Sequence, residues 1–258
     1  MYLEILDIGL FEEFKNNIFG SPLDALNLIQ ETEIPVDYFK FYNSVSTVYS
    51  SKIEGEKIEF DSYFKHKFLN IEYQPDYTKK ADDLFRAYEF IYSNPLNIEN
   101  LFKVHAILSS NLLPEGQQGK IRRNPMYVIN NEDRIEYVAA DSSIIESELT
   151  KLFIDIDNLI NSSIDEYEAF YYAALSHLVF VKIHPFQDGN GRTGRLLEKW
   201  FLLKTLGEKV TAVQLEKNYF KNLELYYKNI RVCGLEYNEL NYKKALEFIL
   251  MTISCIMK

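Results

Sequence analysis

Cysteine, glycine and proline are scarce in this chain, and each scarcity narrows the class of protein. Of its 258 residues only two are cysteines, Cys233 and Cys255, and they form no CxxC pair. The count argues against a disulfide framework, and we expect both thiols to be buried and inert. Only 10 glycines and 7 prolines interrupt a chain in which leucine, isoleucine, glutamate and lysine are common. This composition favours helices.

Positive charge and long apolar runs are also lacking. The 28 Lys and Arg residues are outnumbered by 38 Asp and Glu residues, which gives a net charge of -10. Because an acidic protein repels nucleic-acid backbones, we expect no nucleic-acid partner. The apolar run ALSHLVFVKI is too short for a membrane span, and the start MYLEILDIGLFEEF carries acids where a signal peptide carries positive charge. We therefore expect a cytoplasmic protein without a membrane partner.

The remaining pattern predicts an all-α fold with one β-hairpin. Hydrophobic residues make up 47% of the chain, enough for a sizeable core. Helical patterns recur at residues 21–33, 37–54, 57–69, 79–93, 97–108, 142–160, 165–183, 192–206, 215–232 and 239–256. Residues 126–138, MYVINNEDRIEYV, instead place β-forming residues on both sides of NNED, which is typical of a hairpin. We expect an N-terminal helical region (1–95), a core (96–206) and C-terminal helices (207–258).

The densest cluster of chemical groups is HPFQDGNGRTGR at residues 184–195. His184 ends an apolar helical stretch, and Pro185 prevents its continuation. Residues 189–191 then predict a turn that tolerates positive φ, followed by a helix that starts at about Arg192. Backbone N–H groups at such a helix start point at one spot, where the helix dipole favours an anion such as phosphate.

The side chains of the same stretch fit a phosphorus-transfer reaction. Arg192 and Arg195 share a face of the first helical turn, and guanidinium groups grip phosphate oxygens with paired hydrogen bonds. Asp188 can hold Mg²⁺ together with phosphate oxygens, and His184 can take the proton of an incoming hydroxyl. We therefore predict transfer of a nucleotide's phosphorus-centred group to a hydroxyl. The GxxxxGK[ST], HRD and DFG patterns are missing, which excludes a Walker A loop and a kinase.

This stretch resembles the Fic family, whose signature HPFx[DE]GNGRxxR matches residues 184–195 at every fixed position. The resemblance implies a Fic-like helical bundle with a β-hairpin flap. It also implies a reaction in which ATP donates AMP to a Ser, Thr or Tyr hydroxyl of a target protein. By position, His184 corresponds to the general base, Asp188 to the Mg²⁺ ligand and Phe186 to an anchor in the core.

The same signature implies which residues bind phosphate. Gly189, Asn190 and Gly191 correspond to the family's anion-binding nest. Arg192 corresponds to the arginine near the phosphates and the metal, and Arg195 to the arginine that holds the γ-phosphate. The resemblance therefore implies ATP as co-substrate and Mg²⁺ as cofactor.

A second stretch, SSKIEG, resembles the family's inhibitory pattern [ST]xxxE[GN]. It supplies Ser50, Glu54 and Gly55, at the end of the helix predicted over about 37–54. The position before the core resembles the class with an N-terminal inhibitory helix. In that class the glutamate pairs with the second arginine, here Arg195, and blocks productive ATP binding. A solvated helix residue is the alternative for Glu54.

A third stretch, GKIR at 119–122, precedes the hairpin and resembles the family's flap, which docks the target by strand pairing. The residues expected to dock the target are Met126, Tyr127, Val128 and Ile129. An ordinary solvent hairpin is the alternative. The following YVAADSS lacks the proline-rich stretch of many members, so the details of target docking stay open.

Tyrosines and histidines outside these stretches allow two interpretations. Tyr226 and Tyr227 resemble the aromatic pair near the family's adenine pocket, and core packing is the alternative. His177, seven residues before His184, would either steady the base or be a buried structural side chain. We expect the remaining histidines, at positions 66 and 105, to be structural or on the surface.

Together these features predict a protein adenylyltransferase that is inhibited by Glu54 and modifies an unidentified target, with the chain itself among the candidates. Three alternatives stay open. Glu54 could orient a water that removes AMP from a modified target, or the donor could be another nucleotide or phosphocholine. A non-catalytic nucleotide-sensing or interaction module is the third, although such a binder needs neither His184 nor Asp188. A homo-oligomer is compatible with the sequence.

Overall fold

The computed structural model describes residues 2–6, 9–29, 37–71, 75–129 and 135–257. Within them the chain is mostly helical, which confirms the all-α prediction with one hairpin. The helices are α1 (Phe11–Asn16), α2 (Pro22–Asn27), α3 (Tyr38–Ile53), α4 (Phe60–Leu69), α5 (Pro75–Ser93), α6 (Ile98–Leu108), α7 (Ile145–Ile160), α8 (Glu166–Ile183), α9 (Asn190–Leu206), α10 (Leu215–Lys221), α11 (Leu223–Arg231) and α12 (Leu246–Ile253). The strands are β1 (Tyr127–Ile129) and β2 (Ile135–Val138).

The core is built around α8 and α9, which pack against each other along their lengths. Residues of α8 from Ala169 onward are almost all buried on every face, as expected for a central helix. Gly194 lets the two helices approach, since a Cβ there would lie 2.7 Å from Cδ2 of His177. The main apolar cluster runs from Leu3 to Ile253 and so joins both ends of the chain.

Several helix boundaries have capping residues that the sequence favours there. Ser21 and Asn97 each accept a backbone N–H in the first turn of α2 and α6. Gly55 and Gly207 lie just beyond α3 and α9 with a φ of 82°. Residues 30–33 of the predicted 21–33 helix, and the NNED turn, lie outside the described residues.

Two C-terminal helix predictions were wrong in extent. The predicted 215–232 helix breaks at Asn222, whose backbone (φ -119°, ψ 39°) is not helical and whose amide donates to the carbonyl of Asn218 at 3.0 Å. Of the predicted 239–256 helix, only α12 is α-helical, because Asn241 accepts the N–H of Lys243 at 3.1 Å in a short 3₁₀ turn. In both places an asparagine side chain competes with the helix for backbone hydrogen bonds.

The hairpin is antiparallel, and one of its edges is covered. Tyr127 lies opposite Val138, and Val128 lies opposite Tyr137. Beyond β2, the N–H of Val138 donates to the carbonyl of Leu235 at 2.7 Å, so the segment after α11 covers that edge. Within the described residues, β1 has β2 as its only neighbouring strand. No described helix combines the length and apolar character that crossing a membrane needs.

Candidate active site

The loop between α8 and α9 is closed by the side chain of Asn190. Its amide oxygen accepts the N–H of Phe186 at 2.9 Å, and its amide nitrogen donates to the carbonyl of Phe186 at 2.8 Å. Gly189 supplies the positive φ of 79° that this turn requires. Because this clamp fixes Asn190 in the first turn, α9 begins at Asn190, and the prediction of a start at about Arg192 was wrong.

The start of α9 presents backbone N–H groups without an acceptor. The N–H of Gly189 is used, since it donates to Oδ1 of Asp188 at 2.6 Å. Among the described residues, none accepts a hydrogen bond from the N–H groups of Asn190, Gly191 or Arg192. These amides and the dipole of a helix of 17 residues favour an anion at this point.

His184 lies at the C-terminal end of α8 in a left-handed conformation, with φ at 53°. Its Nδ1 is 2.8 Å from Oη of Tyr137 and 3.1 Å from the carbonyl oxygen of Val181. Tyr137 donates its own hydrogen to that carbonyl at 2.7 Å. Because both neighbours then offer lone pairs, Nδ1 carries the proton and Nε2 is the free base. Burial lowers the pKa of His184 to about 4, so the ring is neutral at pH 7.

Arg122 forms hydrogen bonds to the backbone at His184. Its Nε donates to the carbonyl of His184 at 2.7 Å, and its own N–H donates to the carbonyl of Pro185 at 2.9 Å. The other guanidinium nitrogens donate to the carbonyls of Asn124 and Ala140. A buried cation therefore satisfies carbonyls at the C-terminal end of α8 and ties them to the flap. The sequence marked Arg122 only as part of GKIR.

His105 packs against the loop between α8 and α9. Its ring stacks on Phe186, with centroids 3.6 Å apart. Nδ1 accepts the N–H of Gly119 at 2.9 Å, so Nε2 carries the hydrogen and donates to the carbonyl of Asp188 at 2.9 Å. Gly119 is required there, because a Cβ would lie 2.5 Å from the carbonyl oxygen of Phe102. The structural interpretation of His105 holds, but no spacing in the sequence indicates this link to the loop.

Arg195 is buried and bound on several sides by α3. Its Nε donates to Oγ of Ser50 at 3.0 Å, and its Nη2 donates to the carbonyl of Ser50 at 3.1 Å. The same Nη2 forms a salt bridge to Oε1 of Glu54 at 2.7 Å. Nη1 lies 3.4 Å from Oη of Tyr226. The serine and the glutamate of the SSKIEG pattern thus converge on one guanidinium.

Glu54 reaches Arg195 across the start of α9. Its side chain is 28% exposed. Burial acts to raise the pKa of Glu54, but the charges of Arg195 and Arg192 outweigh burial and lower that pKa below its usual range. Gly191 provides the space, because a Cβ there would lie 2.6 Å from Oε1 of Glu54. One carboxylate oxygen of Glu54 therefore lies close to Gly191 in the first turn of α9.

A second salt bridge, absent from the sequence prediction, joins Arg192 to Glu56. Nη2 of Arg192 lies 2.6 Å from Oε1 of Glu56, and the two side chains are only 8% and 9% exposed. The other oxygen of Glu56 is buried without a hydrogen-bond partner among the described residues. Both arginines in the first turns of α9 are therefore paired with carboxylates, which come from the end of α3 and the turn after it.

Tyr226 and Tyr227 do not share one environment. Tyr226 is buried, and its hydroxyl lies between Arg195 and Nε2 of His177, 3.1 Å from the latter. Tyr227 is partly exposed and donates its hydroxyl hydrogen to the carbonyl of Ile53 at 3.1 Å. His177 also bonds Glu198 at 2.8 Å, so its role is structural, as the second interpretation predicted. An adenine pocket beside these tyrosines stays a prediction.

The flap residues alternate between exposure and burial. The side chains of Tyr127 and Ile129 are 52% and 58% exposed, on the strand without a further neighbour. Met126 and Val128 are partly buried and pack on the core. Met126 precedes β1, and its carbonyl accepts the N–H of Ala139 at 3.0 Å. The strand therefore offers alternate exposed apolar side chains beside a free backbone edge.

Comparison with known proteins agrees with this geometry. Residues 95–202 match the Fic/DOC family. The segment that includes the flap and the loop before α9 is therefore of the Fic/DOC type. A Fic family protein from Desulfovibrio desulfuricans G20 has the same fold, with a TM-score of 0.72 at 16% identity, covering 99% of this chain and 73% of that one. A Fic domain containing signaling protein from Bacteroides thetaiotaomicron VPI-5482 gives 0.67 at 17% identity, covering 95% and 92%.

Curated relatives match part of this chain. The protein adenylyltransferase fic-1 of Caenorhabditis briggsae is 28% identical over 131 residues, which are 50% of this chain and 24% of that protein. The protein adenylyltransferase Fic of Drosophila erecta is 32% identical over 111 residues, 42% of this chain and 20% of that protein. The matches thus span about a quarter or less of the relatives' own length. Membership of the N-terminal inhibitory class stays a prediction.

Proposed function

We propose that this Fic-family chain is a protein adenylyltransferase, which transfers AMP from ATP to a hydroxyl of a target protein. The observation that carries the proposal is the junction between the α8–α9 loop and the first turn of α9. There the N–H groups of residues 190–192 lack acceptors among the described residues, and the same loop begins at the neutral ring of His184. A phosphate site joined to a base is what transfer to a hydroxyl requires. Relatives named protein adenylyltransferase support the assignment.

In the proposed reaction the target hydroxyl loses its proton to Nε2 of His184. The hydroxyl oxygen attacks the α-phosphorus of ATP, a new P–O bond forms, and the bond to the β-phosphate breaks so that pyrophosphate leaves. The amides at the start of α9, together with Arg192 and Arg195, stabilise the charge on the phosphates. Arg122 keeps the backbone of His184 in place while the proton moves.

The residues of the loop fit Mg²⁺ as cofactor. Asp188 is exposed, and Oδ1 accepts the N–H of Gly189, so Oδ2 is open to a cation. Mg²⁺ is commonly held by one or two carboxylates together with substrate phosphates. Within the described ranges no group of three His, Cys, Asp or Glu residues could hold a metal, which suits an ion that arrives with the nucleotide. When bound, Mg²⁺ would neutralise phosphate charge beside Asp188.

The target is proposed to dock along β1. An extended segment of the target would add a strand at the free edge, and Tyr127 and Ile129 would contact its side chains. The other edge of the hairpin is already taken by the segment around Leu235. The target stays unidentified, and a second copy of this chain is among the candidates.

We further propose that Glu54 inhibits the enzyme. One guanidinium cannot fully serve a carboxylate and a phosphate at once, and the salt bridge of 2.7 Å already occupies Nη2 of Arg195. A γ-phosphate that depends on Arg195 must therefore displace Glu54. The carboxylate also lies close to Gly191, so it would repel an anion at the start of α9.

Removal of AMP from a modified target is the second candidate function. Oε1 of Glu54 bonds Arg195, whereas its other oxygen has no hydrogen-bond partner among the described residues. That oxygen could orient a water for attack on an AMP-modified side chain. Incubation of a pre-modified target with the wild-type protein, followed by measurement of released AMP, separates removal from transfer.

The test of the proposed function is labelling of a cell lysate by the Glu54→Gly protein. ATP labelled at the α-phosphorus should label proteins, whereas ATP labelled at the γ-phosphorus should not. His184→Ala in the same background should abolish the label while ATP binding persists. His66→Ala is the matched control, because His66 bonds Asp82 outside the loop. Label that persists in the His184→Ala protein contradicts the mechanism. Binding without any label in the Glu54→Gly protein favours a sensing module, and other nucleotides or a phosphocholine donor are then tried.

A further inference from the structure

A buried tyrosine connects the flap to the candidate base. Tyr137 lies in β2 and pairs in register with Val128 of β1. Its hydroxyl oxygen is 2.8 Å from Nδ1 of His184, and its hydrogen goes to the carbonyl of Val181 at 2.7 Å. The ammonium group of Lys182 lies 4.3 Å from the centre of the Tyr137 ring, a cation–π contact that holds the ring in place.

We propose that Tyr137 is a positioning residue, which fixes the orientation and the tautomer of His184 for proton abstraction. This inference rests on the proposed function. A tyrosine hydroxyl has one hydrogen, and Tyr137 gives that hydrogen to Val181. It therefore presents a lone pair to Nδ1, which keeps a proton on Nδ1 and leaves Nε2 able to accept one.

The hydroxyl does more than fill space. Without it, the carbonyl of Val181 alone would face Nδ1, at the longer distance of 3.1 Å. Burial raises the pKa of Tyr137 above its usual value, so the hydroxyl stays a neutral donor throughout the working pH range. Because Tyr137 lies opposite Val128, the hydroxyl that contacts the base belongs to the same hairpin as the proposed docking strand.

The test compares Tyr137→Phe with Tyr63→Phe, both in the Glu54→Gly background. Tyr63 is also buried and its hydroxyl also donates, to Asp82, but it lies in α4. For Tyr137→Phe we expect kcat to fall about tenfold, the change that about 1.4 kcal/mol produces, while KM for ATP stays unchanged. Tyr63→Phe should leave kcat unchanged. Equal kcat values for the two variants would overturn the proposal.

A second measurement does not depend on the reaction. Nitrogen NMR of the histidine rings reports the tautomer, and the His184→Ala protein identifies the signals of His184. The parent protein should show the Nδ1–H tautomer alone, and Tyr137→Phe should show a mixture of both tautomers. If the mixture appears but no variant labels a target, the proposed function fails and the positioning role stands. If the tautomer is unchanged in Tyr137→Phe, the positioning role is refuted even when labelling occurs.

An independent observation concerns Glu56, whose carboxylate is bound to Arg192 at 2.6 Å. Gly55, with a φ of 82°, turns the chain so that Glu54 and Glu56 both face the start of α9. One oxygen of Glu56 is buried and without a partner among the described residues, which is unfavourable for a group that serves only stability. A contact that is poor for stability but occupies a phosphate-binding arginine points to regulation.

We infer that Glu56 is a second inhibitory carboxylate, which withholds Arg192 from phosphate as Glu54 withholds Arg195. The inference rests on the proposed function. Because the two salt bridges are separate, loss of one leaves the other arginine paired with its carboxylate. Full binding of the triphosphate then requires displacement of both carboxylates.

Isothermal titration with ATP tests this in the His184→Ala protein, which binds without turnover. We expect Glu56→Gln to lower Kd about fivefold, and Glu56→Gln combined with Glu54→Gln to lower Kd further than either change alone. Glu59→Gln is the matched control, because Glu59 follows in the same segment and its exposed carboxylate pairs with Lys52. A Kd for Glu56→Gln equal to that of Glu59→Gln, beside tighter binding by Glu54→Gln, would overturn the inference. Absence of ATP binding in every variant would refute the proposed function itself.

Discussion

Removal of the Glu54 carboxylate should activate transfer, and the size of the effect follows from its contacts. Glu54→Gly removes the salt bridge of 2.7 Å to Nη2 of Arg195. A hydrogen bond between charged groups contributes about 1.5–3 kcal/mol. Since the side chain is 28% exposed, we take about 2 kcal/mol for this pair. That amount corresponds to a roughly thirtyfold change in competent ATP binding.

The rest of the site should survive this change. Arg195 keeps its hydrogen bonds to Oγ and to the carbonyl of Ser50, and its contact with Tyr226. Glu54 is the residue after the last turn of α3, where glycine is well tolerated. The change therefore isolates the carboxylate without removal of a helix or of a binding arginine.

The assay is the initial rate of target or self labelling with ATP at a concentration below Kd, where the rate follows binding. We expect the Glu54→Gly rate to exceed the wild-type rate by roughly thirtyfold. The Glu54→Gln rate should also exceed the wild-type rate. Glu59→Gln should match the wild type, because its carboxylate is 72% exposed and remote from both arginines. A Glu54→Gly rate equal to or below the wild-type rate would refute the competition between carboxylate and phosphate.

Three further predictions follow from the same contacts. The labelling rate of Glu54→Gly should rise as pH increases through about 4 and then stay level to neutral pH, because burial lowers the pKa of His184 to about 4. A rise centred on 6.5, the usual pKa of histidine, contradicts this. Arg122→Met should lower the free energy of unfolding by about 3 kcal/mol in urea titrations, since several buried carbonyls lose their donor. Glu54→Gln should lower Tm in the absence of nucleotide, and ATP should restore it. Because the pKa of Glu54 is lowered, the stability that its ionised carboxylate gives the fold is fully present above pH 4.5 and is lost as pH falls below that value.

The loop could be predicted from the sequence because its residues are close together in the chain. The prediction of an anion site required only the order of glycines, asparagine and arginines, and among the described residues the amides at the start of α9 have no acceptor. The pairing of Glu54 with Arg195 was also predicted, although 141 residues separate them. That prediction came from family resemblance, since no spacing rule joins positions so far apart.

Other contacts of the site could not be predicted because they depend on tertiary packing. Tyr137 meets His184 only because the flap folds back on the end of α8. His105 meets the loop through its stack on Phe186, and Glu56 meets Arg192 only after the turn at Gly55. Helix ends near Asn222 and Asn241 were missed for a different reason. There, single side-chain hydrogen bonds outweigh a helical pattern that extends over many residues.

Under the proposed function, inhibition follows from the same chemistry that would let the site bind phosphate. A guanidinium as buried as Arg195 carries a charge that needs a counter-ion, and an uncompensated buried charge costs several kcal/mol. Glu54 supplies this counter-ion, and the lack of a side chain at Gly191 leaves room for its carboxylate. Phosphate binding and carboxylate binding are therefore two occupancies of one cationic site. Removal of Arg195 would release Glu54, but it would also weaken the binding of ATP. Activation is therefore expected from changes at the carboxylate and not from changes at the arginine.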